Sequence, residues 1–361
     1  MNRLVVLDAV GDEGFVAALR RAWDAGDAVL PLDPRLPGPA RSAVLEAARV
    51  GEPVEPGDAL VVVTSGTTGN PKGVVLTHDA VAASARATSE ALGVDPARDR
   101  WLACLPLAHV GGLTVVIRAL LTGTPLTVHD GFDAAAVRAA AEDGCTLTSL
   151  VPTAFARIDP AWFRRILLGG QAPPADRPAH VIATYGMTES GSGVVYDGRP
   201  LAGVEVRIAG DGEIHLRAPM LLRTYRDGVD PKDRDGWFPT GDLGELHADG
   251  TLAVHGRRGD LIITGGENVW PAAVERVLLG HGAVREVAVV GQPDAEWGQR
   301  VVAVVVVEDP AAPPTLDELR DWVKQSLPAF AAPTRLELVS ELPRTASGKV
   351  RRRALSDERQ R

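Results

Sequence analysis

Thr64-Ser65-Gly66-Thr67-Thr68-Gly69-Asn70-Pro71-Lys72-Gly73 lies between two apolar runs, residues 60–63 and 74–76. Its glycines remove side-chain bulk and permit positive φ, so successive backbone N–H groups can converge on an anion. Four hydroxyls and the Lys72 ammonium add further donors. The composition is that of a phosphate cradle, with a plain Gly/Ser/Thr hairpin as the alternative. It is not a Walker A loop, which needs Gly-Lys-Ser/Thr opening a helix. Here Gly73 follows Lys72, and Val74-Val75-Leu76-Thr77 reads as a strand.

Outward from the loop, apolar strand runs alternate with helical patterns. Residues 4–7 and 28–32 read as strands, with a helix between them on which Phe15, Leu19 and Trp23 share a face. Beyond the loop come a helix over 79–92 capped by Thr77 or Asp79, a strand at 101–105, an apolar helix at 113–121, and strands at 126–128, 146–150 and 166–168 flanking a helix at 134–142. Such alternation predicts an α/β fold with parallel pairing. Two alternating runs around Asp211-Gly212 predict a hairpin, hence a small β-subdomain. A second α/β pattern follows Gly256-Arg257-Arg258-Gly259-Asp260. It holds a helix at 271–279, strands at 284–290 and 301–307, and the capping box Thr315-x-x-Glu318.

The 361 residues, 45% apolar, are enough for two domains. No apolar run reaches the length of a membrane span, and the N-terminal run is too short for a secretory segment, so a soluble cytoplasmic protein is expected. The net charge of −9 disfavours nucleic acid as a partner, and the basic run Arg351-Arg352-Arg353 reads as a solvated helix face. Cys104 and Cys145 lack metal-site spacing and are expected in the core.

The loop resembles the signature of the adenylate-forming superfamily, which includes acyl- and aryl-CoA ligases, peptide-synthetase adenylation domains and luciferases. Tyr185-Gly186-Met187-Thr188-Glu189-Ser190, Thr240-Gly241-Asp242-Leu243, Gly256-Arg257 and Pro343-Arg344-Thr345-Ala346-Ser347-Gly348-Lys349 are similar to its other motifs, in the same order. The resemblance implies a large N-terminal domain of α/β subdomains plus a small β-subdomain (residues 1–256, with a shortened front end). A smaller, mobile α+β domain follows (residues 257–361). A homodimer is one way to cover the face that the shortening exposes.

By the same resemblance, Thr64, Ser65, Gly66, Thr67, Thr68, Gly69 and Lys72 hold the β- and γ-phosphates of ATP. Gly169, Gly170 and Gln171 border adenine, Tyr185 stacks on it, and Gly186 and Met187 border nucleotide and acid. Thr188 contacts the α-phosphate, Glu189 helps to hold Mg²⁺, and Asp242 accepts the ribose hydroxyls, with Arg257 beside it. Each role suits its side chain: a π-face, a hydroxyl donor, a hard oxygen ligand. For Asp242 an ordinary turn-capping role is the structural alternative. Lys349 is expected to bridge the acid and the α-phosphate, the alternative being a surface lysine in a basic tail. Gly265 and Gly266 are expected to make room for the pantetheine of coenzyme A. The position where relatives keep an interdomain pivot holds Gly259, whose missing polar contacts Arg258 or Asp260 could supply.

The acid pocket is expected along Pro106-Leu107-Ala108-His109-Val110-Gly111-Gly112. His109 reads either as a core histidine or as a group that reaches the carboxylate. Arg118, nine residues further on, is costly in so apolar a helix unless it serves an anion or snorkels to water. With Gly265-Gly266-Glu267-Asn268-Val269, these features look most like the ligases that act on o-succinylbenzoate. The resemblance thus implies an acid:CoA ligase using ATP, Mg²⁺ and coenzyme A. Another aryl or fatty acid, or transfer to a carrier protein, is the alternative.

Overall fold

The computed structural model describes residues 2–64, 71–171, 173–174, 176–344 and 350–357, with the Arg353 and Asp357 side chains outside that set. Ser65, Gly66, Thr67, Thr68, Gly69 and Asn70 of the first loop therefore lie outside the described residues, as do Thr345, Ala346, Ser347, Gly348 and Lys349. The chain forms two compact units. The first comprises Met1–Arg207, His215–Pro239 and Leu246–Leu252. The second comprises Ile208–Ile214, Thr240–Glu245 and Ala253–Arg361.

The first unit contains two sheets. One has the order Leu4–Asp8, Ala28–Leu32, Asp58–Thr64, Lys72–Thr77; the first three strands are parallel and the last is antiparallel. Thr64 pairs with Lys72, so residues 65–71 connect two strands of a hairpin. The other sheet has seven strands. Five are parallel, in the order Val181–Met187, Arg165–Leu168, Leu147–Leu150, Trp101–Ala103, Leu126–Val128. Ser192–Tyr196 adds antiparallel to Val181–Met187, and Arg199–Pro200 adds antiparallel to Ser192–Tyr196. This is the α/β class expected from the alternation.

Local chemistry accounts for the helix ends. Thr77 Oγ1 accepts from Ala80 N at 3.1 Å to start His78–Leu92, and Gly93 at φ 57° ends it. The helix Val110–Thr122 begins earlier than its apolar run, with His109 as its N-terminal cap and Gly123 at φ 69° as its stop. The helix Gly38–Ala47 is absent from the sequence expectations. Pro37-Gly38-Pro39 looks like a breaker, yet proline is favoured in the first helical turn. Cys104 and Cys145 are free and buried, and burial pushes the Cys104 thiol up to about 11, which removes it as a nucleophile at neutral pH.

The second unit is built on a sheet in the order Glu267–Val269, Ile262–Thr264, Gly298–Val307, Val284–Asp294, with Arg335–Leu338 parallel to Gly298–Val307. Pro271–Leu279 and Leu316–Lys324 pack apolar residues on one face of it, around Val274, Leu278, Leu319 and Val323. Both hydrogen bonds of the Thr315/Glu318 capping box form. A fourth sheet, Glu205–Ile208, Glu213–Arg217, Phe238–Leu246, Leu252–Arg257, contributes stretches to both units.

One expectation is corrected here. Arg352 does not lie on a solvated face: its Nη2 meets Glu275 Oε2 at 2.7 Å, its Nη1 lies 3.6 Å from Asp260, and the side chain is 31% exposed. Two carboxylates supply the charge that water would otherwise screen.

Candidate active site

The residues expected to border adenine sit where parallel strands end, the usual ligand edge of an α/β sheet. Leu168 pairs with Ala183, so Gly169-Gly170-Gln171 follows one strand at the same end where Tyr185-Gly186-Met187 completes its neighbour Val181–Met187. The close packing makes glycine necessary. A Cβ on Gly186 would lie 2.1 Å from Ser192 O, and one on Gly169 would lie 2.6 Å from Thr184 Oγ1. Gly170 has φ 86°.

Thr188–Ser190 forms a single 3₁₀ turn closed by the buried Ser190 hydroxyl, which accepts from Met187 N at 3.0 Å and donates to Ser192 O at 2.7 Å. Gly191, at φ 66°, completes the reversal. Glu189 O accepts from Leu222 N at 2.7 Å, which pins the turn. Glu189 Oε1 accepts from the Tyr225 hydroxyl at 3.0 Å, and Lys72 Nζ stands 4.7 Å from the centre of the same Tyr225 ring. Lys72 and Glu189 thus share one aromatic neighbour.

Among the described residues no group of three or more His, Cys, Asp or Glu could hold a metal. Glu189 alone suits a magnesium ion that arrives with a nucleotide, since that ion commonly takes one or two carboxylates plus phosphate oxygens and water. The donor set fits such an ion.

Arg118, expected to serve the acid, is only 2% exposed, so it does not snorkel to water. Its Nη2 donates to Ser192 Oγ, and its guanidinium lies 5.7 Å from the Trp101 ring. Nε and Nη1 are buried with no hydrogen-bond partner among the described residues. Burial pulls this guanidinium below its ordinary pKa, with Tyr196 opposing. Ser192 pairs with Met187 across the strands, which ties Arg118 to the stretch leading into Thr188 and Glu189. His109 occupies the N-cap position of the same helix, with no side-chain capping bond. Trp101, Ser192 and Tyr225 carry no sequence motif that would have marked them.

In the second unit, Asp242 is buried, and Arg257 Nε meets its Oδ1 at 2.9 Å while Arg257 Nη1 donates to Thr240 O at 2.8 Å. Asp242 and Arg257, expected as neighbours, are bonded. Gly265 and Gly266, at φ 58° and 83°, form the two-residue turn between Ile262–Thr264 and Glu267–Val269. Positive φ at both positions is what this tight hairpin turn requires. A Cβ on Gly265 would also lie 2.7 Å from the Trp297 ring. Beside Gly259, Arg258 bonds Asp211 and Glu213, each at 2.9 Å, and Asp260 pairs with Arg352. Lys349 lies outside the described residues, but both flanks of residues 345–349 are anchored. Arg344 bridges to Val350 and meets Glu286 at 2.6 Å, and Arg352 meets Glu275.

Comparison with known proteins places this geometry. The family model described as "AMP-binding enzyme" matches residues 49–226, and the model for its C-terminal domain matches residues 273–349. A probable 2-succinylbenzoate–CoA ligase of Mycobacterium tuberculosis is 41% identical over 368 residues, covering 94% of each chain. The o-succinylbenzoate CoA synthetase of Bacillus subtilis, solved with the acyl-adenylate intermediate OSB-AMP, superposes with a TM-score of 0.88 at 30% identity, covering 99% of this chain and 88% of that one. The same synthetase with ATP and magnesium gives a TM-score of 0.87 at 30% identity, covering 98% and 89%. Its ordered motifs, its strand-end glycines and these similarities along nearly its whole length make this chain a member of the AMP-binding enzyme family.

Proposed function

We propose that the protein is an AMP-forming acid:CoA ligase that converts 2-succinylbenzoate to 2-succinylbenzoyl-CoA, a step of menaquinone biosynthesis. The observation that carries the choice of acid is Arg118, a buried guanidinium with two nitrogens still to be satisfied, tied through Ser192 to the Gly186–Glu189 stretch. A buried cation of this kind is stabilised by an anion. The second carboxylate of a dicarboxylic acid supplies one, and a fatty acid does not.

A carboxylate becomes a good electrophile only after it acquires a leaving group. In the first step one carboxylate oxygen attacks the α-phosphorus of ATP, and the bond to pyrophosphate breaks. In the second, the coenzyme A thiolate attacks the acyl carbon and AMP leaves. The first step is governed by positioning and by neutralisation of phosphoryl charge. Residues 64–72 would cradle the outer phosphates, and Thr188 would donate to the α-phosphate. Glu189 would hold the magnesium ion, which supplies neutralisation of phosphoryl oxygens. Asp242, oriented by Arg257, would accept the ribose hydroxyls. Tyr185 and the Gly169-Gly170-Gln171 turn would enclose adenine, and His109 would face the reacting carboxylate. Lys349 would bridge the acid and the α-phosphate from the domain of residues 257–361, and Gly265-Gly266 would admit pantetheine.

A cytoplasmic setting and a homodimer belong to the same proposal. A strictly monomeric mass in light scattering would remove the latter. The activity is tested with a panel of carboxylic acids, Mg·ATP and coenzyme A, read as AMP and thioester. Turnover is expected to be greatest with 2-succinylbenzoate, and a mono-acid that outperforms it would displace this substrate.

A further inference from the structure

Tyr225 has no part in the motifs that mark the family resemblance, yet it touches two groups on which nucleotide binding is proposed to depend. Its hydroxyl donates to Glu189 Oε1 at 3.0 Å, and its ring lies under Lys72 Nζ, 4.7 Å from centroid to nitrogen. That separation is within the range of a cation–π contact. The residue is 8% exposed.

Its backbone is fixed to the strand that Lys72 begins. Tyr225 bridges antiparallel to Val74, Val75 N donates to Thr224 O at 3.0 Å, and Arg226 N donates to Gly73 O at 2.7 Å. The Arg226 guanidinium then donates to the carbonyls of Ala48, Arg49, Glu52 and Pro53 at 2.9–3.3 Å. The phenol is therefore carried by a rigid support, whereas Lys72 has a long flexible stem and Glu189 sits on a short turn.

We infer that Tyr225 is a positioning residue for the triphosphate. It holds the Lys72 ammonium over its ring and fixes the Glu189 carboxylate by one oxygen, so that cation and metal ligand are set at a defined spacing before Mg·ATP arrives. Packing alone would need only the ring, because phenylalanine fills the same space; the hydroxyl aimed at a carboxylate is what points to positioning. The inference rests on the proposed function. It goes beyond it by assigning the outer phosphates and their metal ion, rather than the adenosine or the acid, as what this residue serves.

The test compares the full-length protein with Tyr225→Phe and Tyr225→Leu. Calorimetry gives the affinity for Mg·ATP and for AMP, which lacks the outer phosphates. The melting-temperature shift that each ligand produces is taken relative to each variant's own ligand-free value, so a folding defect is separated from a binding defect. Tyr225→Phe is expected to weaken Mg·ATP about tenfold, the effect of losing one hydrogen bond to a charged group, with AMP affinity held within about twofold. It should also raise the magnesium concentration needed for half-maximal ATP binding. Tyr225→Leu is expected to weaken Mg·ATP roughly threefold further as the Lys72 contact goes. Equal affinities in wild type and Tyr225→Phe, or parallel loss of Mg·ATP and AMP, would overturn the inference. Wild-type protein that binds no Mg·ATP at all would instead remove the proposed function, and the inference with it.

Discussion

Replacing Arg118 by methionine is expected to move stability and activity in opposite directions. The side chain is 2% exposed, and its Nε and Nη1 have no hydrogen-bond partner among the described residues. Its polar contacts are the Ser192 hydroxyl and the Trp101 face. In the free protein this is an under-compensated buried charge, and exchanging such a charge for an apolar group of similar length stabilises by about 1–4 kcal/mol. With about 2–4 °C per kcal/mol for a unit of this size, Arg118→Met should melt several degrees higher. In the proposed complex the same charge meets the second carboxylate of the substrate. Truncating one partner of a buried charge pair costs about 2–5 kcal/mol, which is roughly 30- to 4,000-fold in kcat/KM for 2-succinylbenzoate. The assay is pyrophosphate release with 2-succinylbenzoate and with its two mono-acid analogues, 2-butanoylbenzoate and 4-oxo-4-phenylbutanoate, beside thermal unfolding without ligand. The preference for the diacid over whichever mono-acid keeps the reacting carboxylate should collapse. A variant that melts below wild type and keeps that preference would refute the assignment of Arg118 to a second carboxylate.

Lys349→Ala should lose pyrophosphate release from ATP by about 10²–10³ while still converting supplied acyl-AMP and coenzyme A to thioester; equal loss of both half-reactions counts against its role. Gly266→Ala should do the reverse, sparing pyrophosphate release and slowing thioester formation: its Cβ meets no atom within 4 Å but stands where pantetheine is expected, and the strain of alanine at φ 83° is read separately as a lower melting temperature. Gly186→Ala pushes a Cβ to 2.1 Å from Ser192 O, so the strand pair must part, with a loss of about 1–3 kcal/mol in chemical denaturation. Asp99 gives a pH signature. Burial raises its pKa, but the Arg164 bonds at 2.9 and 2.6 Å, with Asp95 N and Thr146, outweigh burial and leave the carboxyl below its ordinary 3.8. A carboxyl depressed in the folded state adds stability above the unfolded value and loses it as pH falls through the folded one. Unfolding free energy should therefore decline below pH 3.8, and Asp99→Asn should lower stability at pH 7 while flattening that acid limb.

Most elements were legible because they depend on local chemistry. Apolar runs of strand length mark the parallel strands, and the helices at 134–142 and 271–279 fall where their patterns predict. Thr77 and the Thr315/Glu318 pair act as the caps their spacing suggests. What stayed hidden depends on residues far apart in the chain. Ser192 reaches Arg118 only because a strand meets a helix, and Tyr225 reaches Glu189 only because a loop meets a 3₁₀ turn; no local period encodes either contact. Arg352 reads as solvated until Glu275 and Asp260 are seen beside it. The glycine at position 186 looks like room for a ligand. Its nearest constraint is instead a neighbouring carbonyl.

The account depends on one pocket joining this acid to AMP. The most direct measurement is rapid-quench mass spectrometry of the protein with 2-succinylbenzoate and Mg·ATP, without coenzyme A. It should show enzyme-bound 2-succinylbenzoyl-adenylate together with an equal amount of pyrophosphate, and both should be consumed to thioester and AMP when coenzyme A is added. Absence of adenylate and of pyrophosphate, with this acid and across a broad panel of others, would contradict it.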